Sequence, residues 1–128
     1  MVAQGGQGLI IPTEHQEQKA VVKWFDMQYP ALRGRLAAVP NGGQRHPAVA
    51  AKLKAEGVRK GFPDMMLLKP SGGYFGLFIE LKRIKGGNVS AEQNDWLHWL
   101  NQQGFMAAVC KGADEARKTI QDYLGRAA

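Results

Sequence analysis

The stretch from Asp64 to Arg83 constrains this chain most, because it reads as one hairpin with charge placed inside it. Asp64-Met65-Met66-Leu67-Leu68-Lys69 is a short apolar run, Pro70-Ser71-Gly72-Gly73 is a turn, and Tyr74 to Arg83 is a second run rich in aromatic and aliphatic residues. Alternation with period two puts Phe78, Glu80 and Lys82 on one face of the second strand and Leu77, Ile79 and Leu81 on the other. An acid and a base therefore project side by side from a strand that is otherwise apolar. Asp64 opens the partner strand, and Pro63 holds the residue before it extended, so the chain enters that strand at a defined angle.

The other elements follow from local signals. Residues 1–12 are Gly/Gln-rich and read as a flexible lead-in to a single domain over residues 13–128. Thr13-Glu14-His15-Gln16 has the form of a capping box, Val21, Trp24 and Phe25 continue at helical spacing, and Pro30 ends the segment. Leu36 to Val39 reads as a short strand closed by Pro40-Asn41-Gly42-Gly43, and Pro47 starts a helix that stops at Gly57. Ser90-Ala91-Glu92-Gln93 is a second capping box, opening a helix with Trp96, Leu97 and Leu100 that ends at Gly104. Phe105 to Cys110 is a strand, and Ala113 to Leu124 an amphipathic helix. The order is α-β-α-β-β-α-β-α, an α/β architecture with a mixed sheet flanked by helices.

The length of 128 residues is enough for one self-sufficient core. The lone Cys110 excludes an internal disulfide and a cysteine-built zinc cluster, and its apolar surroundings in sequence make it a core thiol. The N-terminus has neither the basic region nor the apolar stretch of a signal peptide, and no run is long enough to span a membrane. The expectation is a cytoplasmic protein. A formal net charge of +6 favours a polyanionic partner, since neutralised phosphates release condensed counterions.

Asp64 and Glu80, on adjacent strands, have the oxygen donors a hard cation such as Mg²⁺ or Mn²⁺ prefers, and Lys82 can stabilise charge on a phosphate. The alternative is an ordinary Glu80–Lys82 ion pair on an exposed sheet face. The first helix bears on this choice. On a helical wheel Glu14 and Glu17 lie roughly 20° and 40° to either side of Val21, so both carboxylates extend the apolar face. A carboxylate there needs a cation or a strong hydrogen bond, unless the first turn protrudes beyond the core.

Taken in order, Glu14…Gln18, Pro40-Asn41-Gly42-Gly43, Gly61-Phe62-Pro63-Asp64, Phe78-Ile79-Glu80-Leu81-Lys82 and Ser90-Ala91-Glu92-Gln93 resemble the VRR-NUC domain. This is the virus-type replication-repair nuclease branch of the PD-(D/E)XK superfamily, and the length is similar to its stand-alone phage and bacterial form. The resemblance implies a restriction-endonuclease-like core. It implies Asp64 and Glu80 as metal ligands with the backbone carbonyl of Leu81, Lys82 as the catalytic lysine, and an acid from the first helix: Glu14 by its spacing to Gln18, with Glu17 as the alternative. Gln93 would lie beside the site. For Ser90 and Gln93 a capping role and a site role can coexist.

Positive charge clusters on both sides of these motifs. Arg45, Lys52, Arg59 and Lys60 precede Asp64, and Arg83 and Lys85 follow the Glu-x-Lys strand. With Asn41 in its glycine-rich loop, and Ser90, they form the expected nucleic-acid-binding surface. The chain is thus expected to be a Mg²⁺- or Mn²⁺-dependent DNA endonuclease, selective for branched substrates and homodimeric, so that two sites oppose two strands. The alternative is a DNA-binding module that keeps the fold without catalysis.

Overall fold

The computed structural model describes residues 10–40 and 45–125. Most of the lead-in, and Asn41 with its loop, lie outside the described residues. The elements are α1 (Glu14–Gln28), a single 3-10 turn (Pro30–Leu32), β1 (Leu36–Ala38), α2 (Pro47–Ala55), β2 (Met65–Leu67), β3 (Leu77–Lys82), α3 (Ala91–Gln102), β4 (Met106–Lys111) and α4 (Gly112–Leu124). The predicted order holds throughout. Both capping boxes form: Thr13 and Gln16 exchange side-chain-to-backbone hydrogen bonds at the start of α1, and Ser90 and Gln93 do so at the start of α3. No helix among the described residues is long and apolar enough to cross a membrane.

The four strands lie in the order β1-β2-β3-β4. The first two pairings are antiparallel, whereas β3 and β4 run parallel, joined by the α3 crossover. The strands are shorter than the apolar runs that encode them. Tyr74 leaves the ladder because its backbone exchanges hydrogen bonds with Ser71 in a tight turn, at 3.1 and 2.9 Å. That turn is then tied to α4, since the Ser71 hydroxyl donates to the Tyr123 carbonyl and the Tyr123 hydroxyl to the Lys69 carbonyl, each at 2.6 Å.

One sheet face is the core. Val21 and Phe25 of α1 and Ala116, Ile120 and Tyr123 of α4 close over Met65, Leu67, Leu77, Ile79 and Leu81. Each large side chain buried there contributes roughly 1.5–3 kcal/mol of transfer free energy. Cys110 is buried in the same core, as expected, and burial pushes its thiol pKa up. The opposite face is aromatic. Phe78 meets Phe62 and Phe105 edge-to-face, and Phe62 meets Trp96 of α3. The β4 edge is held to α3 by the Asn101 amide, which accepts from Ala107 N–H at 2.9 Å and donates to its carbonyl at 3.1 Å. Every residue of β3 is buried, so Glu80 and Lys82 lie inside the protein and not on an exposed sheet face.

Candidate active site

The register of the hairpin brings the acids together. Met65 pairs with Ile79 and Met66 with Phe78. Extending that ladder by one residue sets Asp64 opposite Glu80, on the aromatic face, where opposed Cβ atoms lie about 5 Å apart. The Asp64 carboxylate accepts a hydrogen bond from the Leu81 N–H at 2.7 Å, and the Asp64 carbonyl accepts one from Val39 N–H at 2.8 Å. Asp64 is thus fixed at both ends. Leu81 itself points into the core, so only its backbone can face this site.

Glu80 is 2 % exposed and Lys82 8 % exposed. The Lys82 ammonium stands 3.6 Å from Glu80 Oε2, and the Gln93 side-chain amide donates to the same oxygen at 3.0 Å. Gln93 therefore does two things at once. Its Oε1 accepts from Ser90 N–H at 2.8 Å, closing the cap of α3, while its amide nitrogen holds Glu80. Ser90 completes the cap by accepting from Gln93 N–H at 3.1 Å.

Burial of an acid beside a second acid is the main electrostatic feature. The Glu80 carboxyl is pushed up to about 8, first by burial, then by a hydrogen bond to Asp64 and repulsion from it; Lys82 opposes this and Glu14 adds to it. Two acids share a site that their one lysine does not neutralise. Among the described residues no group of three or more His, Cys, Asp or Glu side chains converges tightly enough to hold a metal. Asp64 and Glu80 are the two carboxylates this face offers, and Mg²⁺ is typically bound through one or two carboxylates with water and phosphate completing its shell.

The two first-helix glutamates have different surroundings. Glu17 is 7 % exposed, and its carboxylate accepts from Ala113 N–H at 3.2 Å, satisfying the first turn of α4. Gly112 has φ +84, and a Cβ there would lie 2.7 Å from Glu17 Oε2, so the glycine admits the carboxylate. Glu14 is exposed and near enough to raise Glu80.

A family model described as the VRR-NUC domain matches residues 12–114. The chain belongs to the VRR-NUC domain family. A solved structure named VRR_NUC domain protein shares 30% sequence identity and superposes with a TM-score of 0.81, covering 94% of this chain and 96% of that one. No curated protein matches the sequence. The VRR-NUC domain is a nuclease domain, and the four-stranded mixed sheet with its flanking helices is consistent with the PD-(D/E)XK architecture.

Around this VRR-NUC centre the basic residues spread over the surface. A cavity of about 550 Å³ is lined by Arg45, Lys54, Arg59 and Lys60 with Leu53 and Val58. Arg45 donates to the Pro40 carbonyl at 2.8 Å, and Lys60 stands 3.7 Å from Glu92. Lys52 is exposed on α2, and Arg83 and Lys85 are exposed beyond β3, with Arg83 donating to the Ile11 carbonyl at 3.3 Å.

Sequence reasoning missed Gly61 as a contact. Its φ is +87, and a Cβ would stand 2.6 Å from the Glu92 carbonyl carbon and 2.8 Å from Gln93 N. The chain leading to Asp64 thus packs directly on the backbone of the turn that carries Gln93. A glycine three residues before an aspartate was the only available signal.

Proposed function

We propose that this VRR-NUC domain hydrolyses phosphodiester bonds of DNA with a divalent cation, Mg²⁺ or Mn²⁺. The observation that carries the reading is the Asp64–Glu80 pair: Glu80 is buried with Asp64 half-buried beside it, and burial first, then the hydrogen bond to Asp64 and repulsion from it, raise Glu80 to about 8 despite Lys82. A pair in that state gains from a cation. The residues that would hold it are Asp64, Glu80 and the Leu81 carbonyl, with Glu14 as the third acid. Such an ion polarises a phosphate and lowers the pKa of a water.

The chain's own groups then have distinct tasks. The Leu81 N–H and the Val39 N–H hold Asp64 at a fixed distance from β3. Gln93 orients Glu80. The Lys82 ammonium, beside Glu80, is placed to balance charge that builds on the phosphate oxygens as the bond breaks. Arg45, Lys52, Arg59, Lys60, Arg83 and Lys85 hold the backbone on either side without reading sequence. Branched DNA is the proposed substrate, and a homodimer would set two such sites on opposed strands.

The test is cleavage of branched and linear duplexes with Mg²⁺, with Mn²⁺ and with chelator. Cation-dependent cutting lost in Lys82→Ala is expected. Tight DNA binding with no cutting under any cation favours a binding module that keeps the fold.

Glu14 and Glu17 are separated by a paired substitution. Glu14→Gln is expected to lower cleavage at least about 10-fold with little change in melting temperature. Glu17→Gln is expected to destabilise the fold by about 1 kcal/mol through the α4 cap. A large rate loss in the second, with no change in stability, would exchange their roles.

A further inference from the structure

Val39, whose N–H holds the Asp64 carbonyl, also walls a second cavity. It has a volume of about 470 Å³ and opens between Val39, Val58, Phe62 and Trp96, with Glu56 and Arg59 as its charged members. Its lining is mostly apolar, and its size is that of a small-molecule site. It adjoins the basic cavity described above, with which it shares Val58 and Arg59. Trp96 and Lys60 further share a shallow hollow at the start of α3.

We propose that this cavity receives one unpaired nucleobase of the DNA substrate, stacked against Trp96, next to the phosphate presented to Asp64 and Glu80. The inference rests on the nuclease reading and names the kind of DNA that reading requires.

Three observations carry it. The first is distance. Val39 donates directly to the Asp64 carbonyl at 2.8 Å. Phe62 is two residues from Asp64, a span of at most about 7 Å. Trp96 is one helical turn beyond Gln93, which holds Glu80. A DNA strand advances about 3.4 Å per nucleotide, so a base in this cavity belongs to a nucleotide at or next to the reacting phosphate.

The second is the chemistry of the walls. Trp96 is braced edge-to-face by Phe62 at 4.9 Å and by Trp99 at 5.8 Å. An indole braced in this way is a stacking surface, and base–aromatic stacking accepts any base. A base inside a duplex is already stacked and paired, and must be extruded to enter. A base at a branch or flap has lost part of that stabilisation and enters more readily.

The third is charge. The cations of the adjoining cavity match the phosphates flanking such a base. An apolar peptide carries no phosphate for these cations to match.

The experiment uses the full chain in chelator, so that nothing is cut. The probes are a short duplex with a single-stranded flap, carrying 2-aminopurine at successive unpaired positions, and a fully paired duplex of equal length. Quenching of 2-aminopurine at one position next to the branch is expected. Trp96→Leu should abolish the quench and weaken flap binding about 10-fold or more, with duplex affinity unchanged. Val58→Phe fills the cavity while keeping the indole, and should weaken flap binding alike, so the test survives misfolding of the first variant. Equal losses on flap and duplex, or full flap affinity in the folded Val58→Phe protein, overturn the proposal. Cation-dependent cleavage by the wild-type chain is scored separately: a protein that cuts both substrates but shows neither quench nor flap preference keeps the nuclease reading and rejects the pocket.

Discussion

Replacing Glu80 by Gln is expected to abolish DNA cleavage and, in the metal-free protein, to raise stability. The two effects have one cause. Glu80 is buried beside Asp64, and its folded-state pKa of about 8 lies above its ordinary 4.5. Between those values the unfolded chain has released a proton that the folded protein still binds. Stability therefore falls as pH rises through that window and levels off above it. The amide carries no charge and escapes this loss, while it keeps an oxygen for Gln93. A gain on the order of 1 kcal/mol at pH 8, or about 3–5 °C, is expected for a chain of this size. At pH 4 the gain should disappear. Cleavage should fall on the order of 10³-fold, since the substitution removes the charge a cation needs. Melting curves in chelator at the two pH values, set beside cleavage rates, check both parts. A variant that is inactive and also less stable at pH 8 would mean that Glu80 holds the fold together and is not held in place by it.

Gly61→Ala is expected to damage both the fold and the site. The new Cβ would meet the backbone of Glu92 and Gln93 at 2.6 and 2.8 Å, and φ is +87. Backbone on a capped helix cannot swing aside as a side-chain end does, so α3 and the Asp64 loop must separate. The expected loss is on the order of 3 kcal/mol, or about 10 °C, with cleavage lost because Gln93 no longer reaches Glu80. Gly34→Ala is the control. Gly34 has φ +78 but nothing within 4 Å of its would-be Cβ, so only backbone strain remains, about 1 kcal/mol. Equal melting temperatures for the two variants would show that the contact at Gly61 does not position α3.

Much of the fold was legible because its signals are local. A hydroxyl three residues before a glutamine predicts a helix start at Thr13 and Ser90, and both capping boxes form because the bonds involve only neighbours. The hairpin was legible for the same reason. Its strand ends were not. The run from Tyr74 to Arg83 reads as one continuous strand, yet Tyr74 is drawn into a turn tied to Tyr123, some fifty residues later in sequence. The aromatic packing of Phe62 between Phe78 and Trp96 was equally hidden, since it joins three separate elements.

The acid pair divides in the same way. Period-two alternation alone places Glu80 and Lys82 on one face, and the hairpin puts Asp64 on the adjacent strand; the register that sets it opposite Glu80 belongs to the fold. What alternation leaves open is whether that face is wet. Tertiary packing on that face buries Glu80, with Gln93 of α3 against its carboxylate, and burial is the first cause of its raised pKa. The first-helix glutamates show the limit most plainly. Their angular positions on α1 are nearly equivalent, so no pattern within the helix separates them. Tertiary structure does: α4 begins at Gly112 directly over Glu17 and engages its carboxylate through Ala113, while Glu14, one turn earlier, stays exposed and acts on Glu80 through charge. The sequence by itself determined the hairpin and the face its charges share; the fold decided which carboxylates are buried and which are already engaged.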